Sequence, residues 1–256
     1  MSDCCENKNT SPDILVIGAG SAGFSAAITA AETGAQVVIA GAGTIGGTCV
    51  NVGCVPSKTL IRATEGMHKA NNADRFTGIR GSAELVDWRA LVAQKQALVD
   101  DLRKAKYEDL LPEYPAISYV EGQAAFTGNG TEILVGDTTY TPRKVIIATG
   151  SSSTLPPING IQSVSVLDST SALELDHLPR SLLIIGGGVI GVELGNMFVR
   201  AGVAVTICCR SRLLPETEPE ISAALAESLR GEGVRVCEGV GYQKIEQSQG
   251  KVSLTC

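Results

Sequence analysis

The chain has 256 residues, enough for one large or two ordinary domains that each bury a core. Apolar residues make up 44% and charged residues 19%, which is the usual balance of a soluble α/β protein. The formal net charge is −6 and no basic cluster is visible, so a nucleic acid is an unfavourable partner. No apolar run approaches the roughly 20 residues that a membrane-spanning helix needs.

The chain begins with a polar tail, residues 1–12, which lacks the apolar core of a signal peptide. Eight cysteines without such a signal favour the reducing cytoplasm, where cysteine pairs are more often catalytic or metal-binding than structural. The tail contains the adjacent pair Cys4 and Cys5. A plain tail is one interpretation, and capture of a soft metal is the other, because soft metals prefer sulfur ligands.

A dinucleotide-binding pattern follows the tail. The apolar run 13–17 leads directly into Gly18-Ala-Gly-Ser-Ala-Gly23, and a helical pattern then ends near Gly34. Strand, GxGxxG and helix in this order are typical of a nucleotide site, since the glycines let the backbone approach the pyrophosphate at the helix N-terminus. Residues 36–40 are predicted to form the second strand.

The segment 46–58 holds two cysteines, Cys49 and Cys54, five positions apart. If a helix begins near Cys49, the two sulfurs lie within about one and a half turns of each other. They are then close enough to be candidates for a bridge. A helix N-terminus also favours the thiolate form and therefore reactivity. Two buried structural cysteines are the alternative.

This segment, Gly-Gly-Thr-Cys-Val-Asn-Val-Gly-Cys-Val-Pro-Ser-Lys, resembles the redox-active disulfide segment of the class I pyridine nucleotide-disulfide oxidoreductases. These flavoproteins include glutathione reductases, dihydrolipoamide dehydrogenases and mercuric reductases. The resemblance covers residues 13–256, and residues 94–108 are most similar to the mercuric reductases. It implies an α/β fold with two Rossmann-like nucleotide-binding domains. The implied FAD-binding domain with the redox disulfide spans 13–150, and an NADPH-binding domain spans 151–256; both are incomplete here.

Between the two nucleotide patterns the sequence predicts helices and then strands. A helix is predicted from about Cys54 to Ala70, a loop over 71–87 and a long helix from Trp88 to Leu111. Strands are predicted at 117–121, 123–126, 132–135, 138–141 and 144–150. Residues 151–161 are interpreted as a linker.

The opening pattern then recurs in the second half of the chain. A strand at 181–185 is followed by Gly186-Gly-Gly-Val-Ile-Gly191, a helix to about Ala201 and a strand at 203–208. Two complete units predict two nucleotide sites; one site and a chance match are the alternative. A helix at 219–230, a strand at 235–238 and two short strands complete the prediction.

Neither unit has the acidic residue that commonly closes the second strand and binds the ribose hydroxyls. In the first unit the matching position is Gly41, which predicts weaker binding of the adenosine end of FAD. In the second it is Cys209, and Arg210 and Arg212 follow. Two arginines favour the 2′-phosphate of NADPH over NADH, with plain surface charges as the alternative. Cys208 and Cys209 should face opposite ways and are interpreted as packing residues.

The resemblance also implies roles for individual residues. Cys54 is the charge-transfer thiolate beside the flavin, and Cys49 is the interchange thiol that faces the substrate. The same two sulfurs bind the substrate Hg(II). Lys58, paired with Glu193, stabilises the anionic reduced flavin, and a structural salt bridge is the alternative. The residues implied to contact FAD or NADPH are Gly18, Gly20, Ala22, Gly23, Gly43, Gly47, Thr48, Lys58, Ala124, Ala148, Thr149, Gly150, Gly186, Gly188, Gly191, Glu193, Arg210 and Arg212.

The predicted reaction passes electrons from NADPH through FAD and the Cys49–Cys54 pair to Hg(II), giving Hg(0), the chemistry of mercury detoxification. One alternative is a disulfide reductase similar to dihydrolipoamide dehydrogenase or glutathione reductase. The other is a fragment that binds nucleotide or soft metal without catalysis. Complete family members continue beyond residue 256, so the chain is expected to be C-terminally truncated and inactive alone. The full-length form is expected to be a cytoplasmic homodimer.

Overall fold

The computed structural model describes residues 10–128 and 130–256, so the pair Cys4–Cys5 lies outside the described residues. The chain divides into two compact units. Of the described residues, the first unit contains those up to 55 and those from 97 to 152, and the second contains residues 56–96 and 153–256. The domain limits predicted from the sequence, 13–150 and 151–256, stay a prediction.

The helices and strands follow one another in an alternating α/β order. The first half contains β1 (Ile14–Ile17), α1 (Ser21–Glu32), β2 (Val37–Gly41), α2 (Gly47–Asn51), α3 (Cys54–Asn71), α4 (Trp88–Arg103), β3 (Ile117–Glu121), β4 (Ala124–Phe126), β5 (Ile133–Val135), β6 (Thr138–Tyr140) and β7 (Lys144–Ile147). The second half contains α5 (Ser169–Leu173), β8 (Ser181–Ile185), α6 (Val189–Arg200), β9 (Ala204–Cys208), α7 (Pro219–Gly231), β10 (Arg235–Cys237), β11 (Lys244–Ser248) and β12 (Lys251–Thr255).

The first unit is built on a parallel sheet with the strand order β3-β2-β1-β7. All five residues of β2 are buried, as expected for a central strand of a parallel sheet that is covered on both faces. Successive side chains of a strand point to opposite faces, and this alternation makes two cores. Val16 and Ile39 pack with Ala27 of α1, whereas Leu15 packs with Ile133 of the antiparallel β4-β5-β6 sheet.

The second unit repeats the arrangement with three parallel strands in the order β10-β9-β8. Its core joins Phe198 of α6, Ile207 of β9 and Leu229 of α7. Trp88 packs in the same core, and its indole Nε1 donates a hydrogen bond to the Leu175 carbonyl oxygen at 2.7 Å. Strands β11 and β12 form a separate antiparallel pair.

The predicted fold class is confirmed, since both units have parallel sheets with the strand–glycine loop–helix–strand order. Two local predictions were wrong. The helix predicted to reach Leu111 is α-helical only to Arg103 and continues as a π-helical turn, Lys104–Glu108. This turn brings the Tyr107 ring into edge contact with Phe24, with 4.9 Å between ring centroids. The segment 144–150 is a strand only to Ile147.

Helix α5 lies beyond the segment interpreted as a linker, in a stretch for which no element was predicted. Helix α5 was not predicted, although its N-terminus has a capping box in which Asp168 accepts from the Ser171 backbone N–H at 2.8 Å. A capping residue followed three positions later by a polar partner is recognisable in a sequence as the start of a helix. Among the described residues, no helix combines the length and the apolar character that crossing a membrane requires.

Candidate functional site

The first glycine loop connects β1 to α1 through backbone packing that only glycine allows. Gly18 has a φ of +117° and donates its N–H to the Ala40 carbonyl oxygen at 2.8 Å. A Cβ on Gly18 would lie 2.1 Å from the Ala148 carbonyl oxygen, and a Cβ on Gly23 would lie 1.9 Å from the Gly18 carbonyl oxygen. Gly20 caps α1 without a side-chain hydrogen bond, so no side chain occupies the amide groups of the first turn. These amides suit a pyrophosphate.

The cysteine segment begins directly against this loop. Gly46 donates its N–H to the Ala19 carbonyl oxygen at 2.8 Å, and Gly46 and Gly47 both have left-handed backbones, with φ values of 94° and 63°. A Cβ on Gly47 would lie 2.6 Å from the Gly20 Cα. The nucleotide loop and the cysteine segment are therefore packed backbone to backbone, which fixes where the cysteines start.

The two cysteines lie on separate helices, not within the single helix that the spacing argument considered, and α3 begins at Cys54 as predicted. Cys49 belongs to the five-residue helix α2, whereas Cys54 is the first residue of α3. Gly53 lies between them, and a Cβ there would approach the Thr48 carbonyl oxygen to 2.9 Å. A glycine break thus allows the chain to turn between the two thiols.

The break nevertheless brings the thiols together. Neither cysteine is in a disulfide, Cys49 is half-buried and Cys54 is exposed, and their side chains are hydrogen-bonded to each other. This hydrogen bond is the main reason why the pKa of Cys49 is raised above 9.0; burial adds to the effect, and the positive charge of Lys106 opposes it. Cys54 lies at the N-terminus of an 18-residue helix, where the helix dipole favours a negative charge. The raised pKa keeps the proton on Cys49 while the two sulfurs lie side by side.

Two residues to which the sequence assigned no role fix this segment. The Asn51 amide Nδ2 donates to the carbonyl oxygens of Ile45 and Gly47, at 2.8 and 2.9 Å, and its Oδ1 accepts from Arg103 at 3.1 Å. The Tyr107 ring is buried, and a Cβ on Gly46 would lie 3.1 Å from it. Asn51 lies inside the resemblance segment and could have been found there, whereas Tyr107 depends on the π-helical turn.

The other residues predicted to contact FAD lie on several elements. Ala22 is in the first turn of α1, Thr48 is in α2 and Ala124 begins β4. Gly43 follows β2, and Ala148, Thr149 and Gly150 follow β7. Ala148 donates its N–H to the Ile17 carbonyl oxygen at 2.7 Å, so it continues the pairing of β7 with β1 at the carboxyl end of the sheet. Ligands of open α/β sheets bind at this end. Their contacts with FAD stay a prediction.

Within the second unit, Lys58 and Glu193 form the ion pair that the sequence predicted. The Lys58 ammonium group also hydrogen-bonds the Glu193 carboxylate, and both side chains remain substantially exposed. Exposed ion pairs contribute little to the free energy of unfolding, so the Lys58–Glu193 pair adds little to the stability of the fold. Its role toward the flavin stays a prediction.

The second glycine loop repeats the backbone of the first. Gly186 has a φ of +115° and donates its N–H to the Cys208 carbonyl oxygen at 2.8 Å. A Cβ on Gly191 would lie 2.8 Å from the Gly186 carbonyl oxygen, and Gly188 caps α6 without a side-chain hydrogen bond. The loop therefore offers a second set of first-turn amides for a pyrophosphate.

The two arginines after β9 are in different situations. Arg210 is exposed. Arg212 turns back into its own loop, where Nη2 donates to the carbonyl oxygens of Pro215 and Thr217 at 2.9 and 2.8 Å. Its buried Nε has no partner among the described residues. Arg210 is consequently the better placed of the two for a phosphate, although both assignments stay predictions.

Cys208 and Cys209 are buried, in keeping with their interpretation as packing residues. Cys208 is in register with Cys237 on the neighbouring strand. Burial, followed by the nearby Cys237 thiol, raises the pKa of Cys208 to about 11. Such a thiol is poorly reactive. Within residues 10–128 and 130–256, no cluster of three or more His, Cys, Asp or Glu residues could hold a metal ion.

Comparison with known proteins gives consistent results. The family model of the pyridine nucleotide-disulphide oxidoreductases matches residues 12–256. The chain is 45% identical to a mercuric reductase of Staphylococcus aureus over 249 residues, which cover 97% of this chain and 45% of the relative. It is also 45% identical to a mercuric reductase of Streptomyces lividans over 232 residues, covering 89% of this chain and 49% of the relative.

A solved structure supports the same assignment. The HOCl-induced flavoprotein disulfide reductase RclA from Escherichia coli superimposes with a TM-score of 0.80 and 31% identity, covering 95% of this chain and 52% of that chain. The chain spans about half the length of the curated relatives that it matches. The matched model, the identity over most of the chain and the shared architecture agree: the chain belongs to the pyridine nucleotide-disulphide oxidoreductase family.

Proposed function

We propose that this chain is part of a mercuric reductase that passes electrons from NADPH through FAD to Hg(II). The observation that carries the proposal is the Cys49–Cys54 pair, two hydrogen-bonded thiols on a segment packed against the first glycine loop. Relatives named mercuric reductases at 37–45% identity support Hg(II) rather than a disulfide as the substrate. The balanced reaction is Hg(II) + NADPH → Hg(0) + NADP⁺ + H⁺.

FAD is assigned to residues 13–150 and NADPH to residues 151–256. The fit rests on the two glycine loops, where a Cβ on Gly18 or Gly191 would collide with backbone and the first turns of α1 and α6 lack side-chain caps. FAD, when bound, supplies the two-electron carrier between the nicotinamide and the dithiol. The chain's own contribution is to hold the two pyrophosphates against backbone N–H groups.

The cysteine pair is assigned to the substrate. Thiolates are the ligands that soft metal ions prefer, and two of them can bind one Hg(II). Cys54 is the more exposed of the two and lies at a helix N-terminus, where the helix dipole favours a thiolate ligand. The Cys49 proton is released as its sulfur becomes a ligand, because a cysteine must be deprotonated to bind the metal. The protein is further proposed to act in the cytoplasm as a homodimer, without nucleic acid or membrane partners.

The test replaces each cysteine in the full-length protein and measures Hg(II)-dependent oxidation of NADPH. Cys49→Ala and Cys54→Ala should each lower the rate by about a hundredfold or more, because the metal loses one of two sulfur ligands. Cys256→Ala is the matched control, since it removes another exposed thiol, and it should leave the rate unchanged. Wild-type turnover in either of the first two variants would contradict the assignment.

A further inference from the structure

Gly41 closes β2 at the position where the family pattern predicts an acid for the ribose hydroxyls of FAD. The residue is buried, and its surroundings leave no room for a side chain. A Cβ on Gly41 would lie 2.8 Å from the Ala19 Cβ, 2.9 Å from the Tyr119 hydroxyl oxygen and 3.0 Å from the Tyr119 Cε2. The phenol end of Tyr119 therefore occupies the space in which a side chain at position 41 would begin.

The register of the sheet explains how a residue of another strand reaches this space. Strands β2 and β3 are parallel, with Ile39 opposite Tyr119 and Gly41 opposite Glu121. Side chains two residues apart on a strand share a face, so Tyr119 and Glu121 lie on the face toward which a side chain at Gly41 would point. The Gly122 N–H donates to the Gly41 carbonyl oxygen at 2.8 Å and holds this end of the pairing in place.

The hydroxyl group of Tyr119 and the carboxylate of Glu121 are available for a ligand. Tyr119 is half-buried and Glu121 is exposed. Among the described residues, none forms a hydrogen bond with the Tyr119 hydroxyl. Burial first, and the negative charge of Glu121 second, raise the pKa of Tyr119 above 10.0. The phenol therefore keeps its proton at neutral pH and lies within electrostatic reach of the carboxylate.

We propose that Tyr119 and Glu121 together bind the adenosine ribose hydroxyls of FAD, in place of the acid that Gly41 lacks. A diol needs acceptors for its two O–H groups, and a phenol oxygen and a carboxylate both accept. The subsite is moved by one strand, from β2 to β3, while it stays at the carboxyl end of the same sheet. This inference rests on the proposed function, because it requires FAD as the bound nucleotide.

The experiment measures the dissociation constant of FAD by titration of the flavin fluorescence, with no use of turnover. Tyr119→Phe keeps the ring and its packing but removes the hydroxyl, and Glu121→Gln keeps the shape but removes the charge. Each should raise the dissociation constant roughly three- to tenfold, and the double variant should raise it further. Tyr114→Phe and Glu113→Gln are the controls, since Tyr114 is half-buried like Tyr119 and Glu113 is exposed like Glu121.

A second set of variants moves the ribose-binding acid back to position 41, at the end of β2. Gly41→Glu alone should weaken FAD binding and lower stability, because its Cβ collides with the Ala19 Cβ and with the Tyr119 phenol. Gly41→Glu combined with Ala19→Gly and Tyr119→Val should restore FAD binding to within about threefold of wild type, since both close contacts at position 41 are then removed and the acid has space on β2. Failure of the combined variant to recover any binding lost by Gly41→Glu would overturn the proposed exchange.

The outcomes separate this inference from the proposed function. If wild type binds FAD and Tyr119→Phe and Glu121→Gln bind it equally well, Tyr119 only fills space and the inference alone is wrong. If wild type binds no FAD at all, the proposed function fails and the inference fails with it. Weaker binding in both variants, with unchanged controls, supports both.

Discussion

The two glycine loops of the chain share a backbone plan but differ in what packs against it. In each, the first glycine has a φ near +116° (117° and 115°) and donates to the end of the neighbouring strand. The middle residue, Ala19 or Gly187, accepts a hydrogen bond from a residue that follows the second strand, Gly46 or Leu214. Both of these donors have positive φ values, 94° and 44°.

The differences lie at the strand ends and beside the loops. In the first loop, Ala19 lies next to Gly41, which has no side chain. In the second loop, Gly187 lies next to Cys209, and a Cβ on Gly187 would lie 3.0 Å from the Cys209 Cβ. In each pair, therefore, only one residue has a side chain, which is Ala19 in the first loop and Cys209 in the second. The residues after Gly46 carry the cysteine pair, and the residues after Leu214 lead into α7. The comparison teaches that the cysteine pair is an addition to a scaffold that both units possess.

The largest expected effect concerns the first glycine of each loop. Gly18→Ala forces a Cβ to within 2.1 Å of the Ala148 carbonyl oxygen, whereas a Cβ on Gly186 meets no described atom within 4 Å. Gly18→Ala should lower the free energy of unfolding of its unit by roughly 3–5 kcal/mol. Gly186→Ala should cost about 1–3 kcal/mol, from its backbone conformation alone.

Urea unfolding checks this difference. The single tryptophan, Trp88, is buried in the second unit and its fluorescence reports that unit, while circular dichroism reports both. Gly34→Ala is the control for the first unit, because Gly34 has a φ of +92° but open space around it. Equal losses for Gly18→Ala and Gly34→Ala would show that the contact with Ala148 does not matter.

A smaller effect is expected from the carboxylate that ties together the helices of the second unit. Glu232 accepts from Arg200 at 2.6 and 2.7 Å and from Asn196 at 3.1 Å, and His68 lies 3.7 Å away. Glu232→Gln should lower the stability of this unit by about 2 kcal/mol at pH 7, because hydrogen bonds to charged groups are lost. Glu227→Gln, an exposed change on α7, should have almost no effect.

The pH dependence of this contribution has a definite sign. The hydrogen bonds from Arg200 hold the pKa of Glu232 below its usual 4.5, so the folded state favours the ionised carboxylate. The resulting stability is present above about pH 5 and is lost as the pH falls through the lowered pKa. Midpoints of Trp88-monitored unfolding for wild type and Glu232→Gln should therefore converge below pH 4. A constant difference from pH 7 to pH 3 would contradict this account.

The smallest effect separates the two arginines of the second unit. Arg210→Ala should weaken NADPH binding about tenfold, roughly 1.4 kcal/mol, and leave NADH binding unchanged, because a charge-assisted contact with the 2′-phosphate is lost. Arg212→Ala should act mainly on stability, since its guanidinium already donates to Pro215 and Thr217. Dissociation constants for both nucleotides in both variants test this. Equal affinity of wild type for NADPH and NADH would contradict the preference.

The parts of the site that follow from local sequence could be predicted. Strand, glycine loop and helix occur in order because their signals lie within about 25 neighbouring residues, and both loops were found in this way. The cysteine pair and the helix that begins at Cys54 were also found, although the separate short helix α2 before Gly53 was not. A glycine between two helical segments permits a break without requiring one, so its effect depends on the close approach to Thr48.

The parts that depend on contacts across the fold could not be predicted. Tyr119 reaches Gly41 only because β3 pairs with β2 in one register, and these residues lie far apart in sequence. Likewise, Arg212 turns toward two carbonyl groups of its own loop, which the presence of an arginine does not indicate. Residue type predicted charge and size at these positions, whereas the direction of each side chain required the three-dimensional structure.

Because of the π-helical turn after α4, the number of residues in this helix determines where Tyr107 is placed. An α-helix advances about 100° per residue, so a one-residue deletion within Lys104–Glu108 would rotate everything beyond it by that angle. The helix itself would become more regular, yet Tyr107 would leave its position against Phe24 and Gly46. Alignments and redesigns of this chain should therefore treat the residue count here as fixed, while the loop at 76–87 can vary in length.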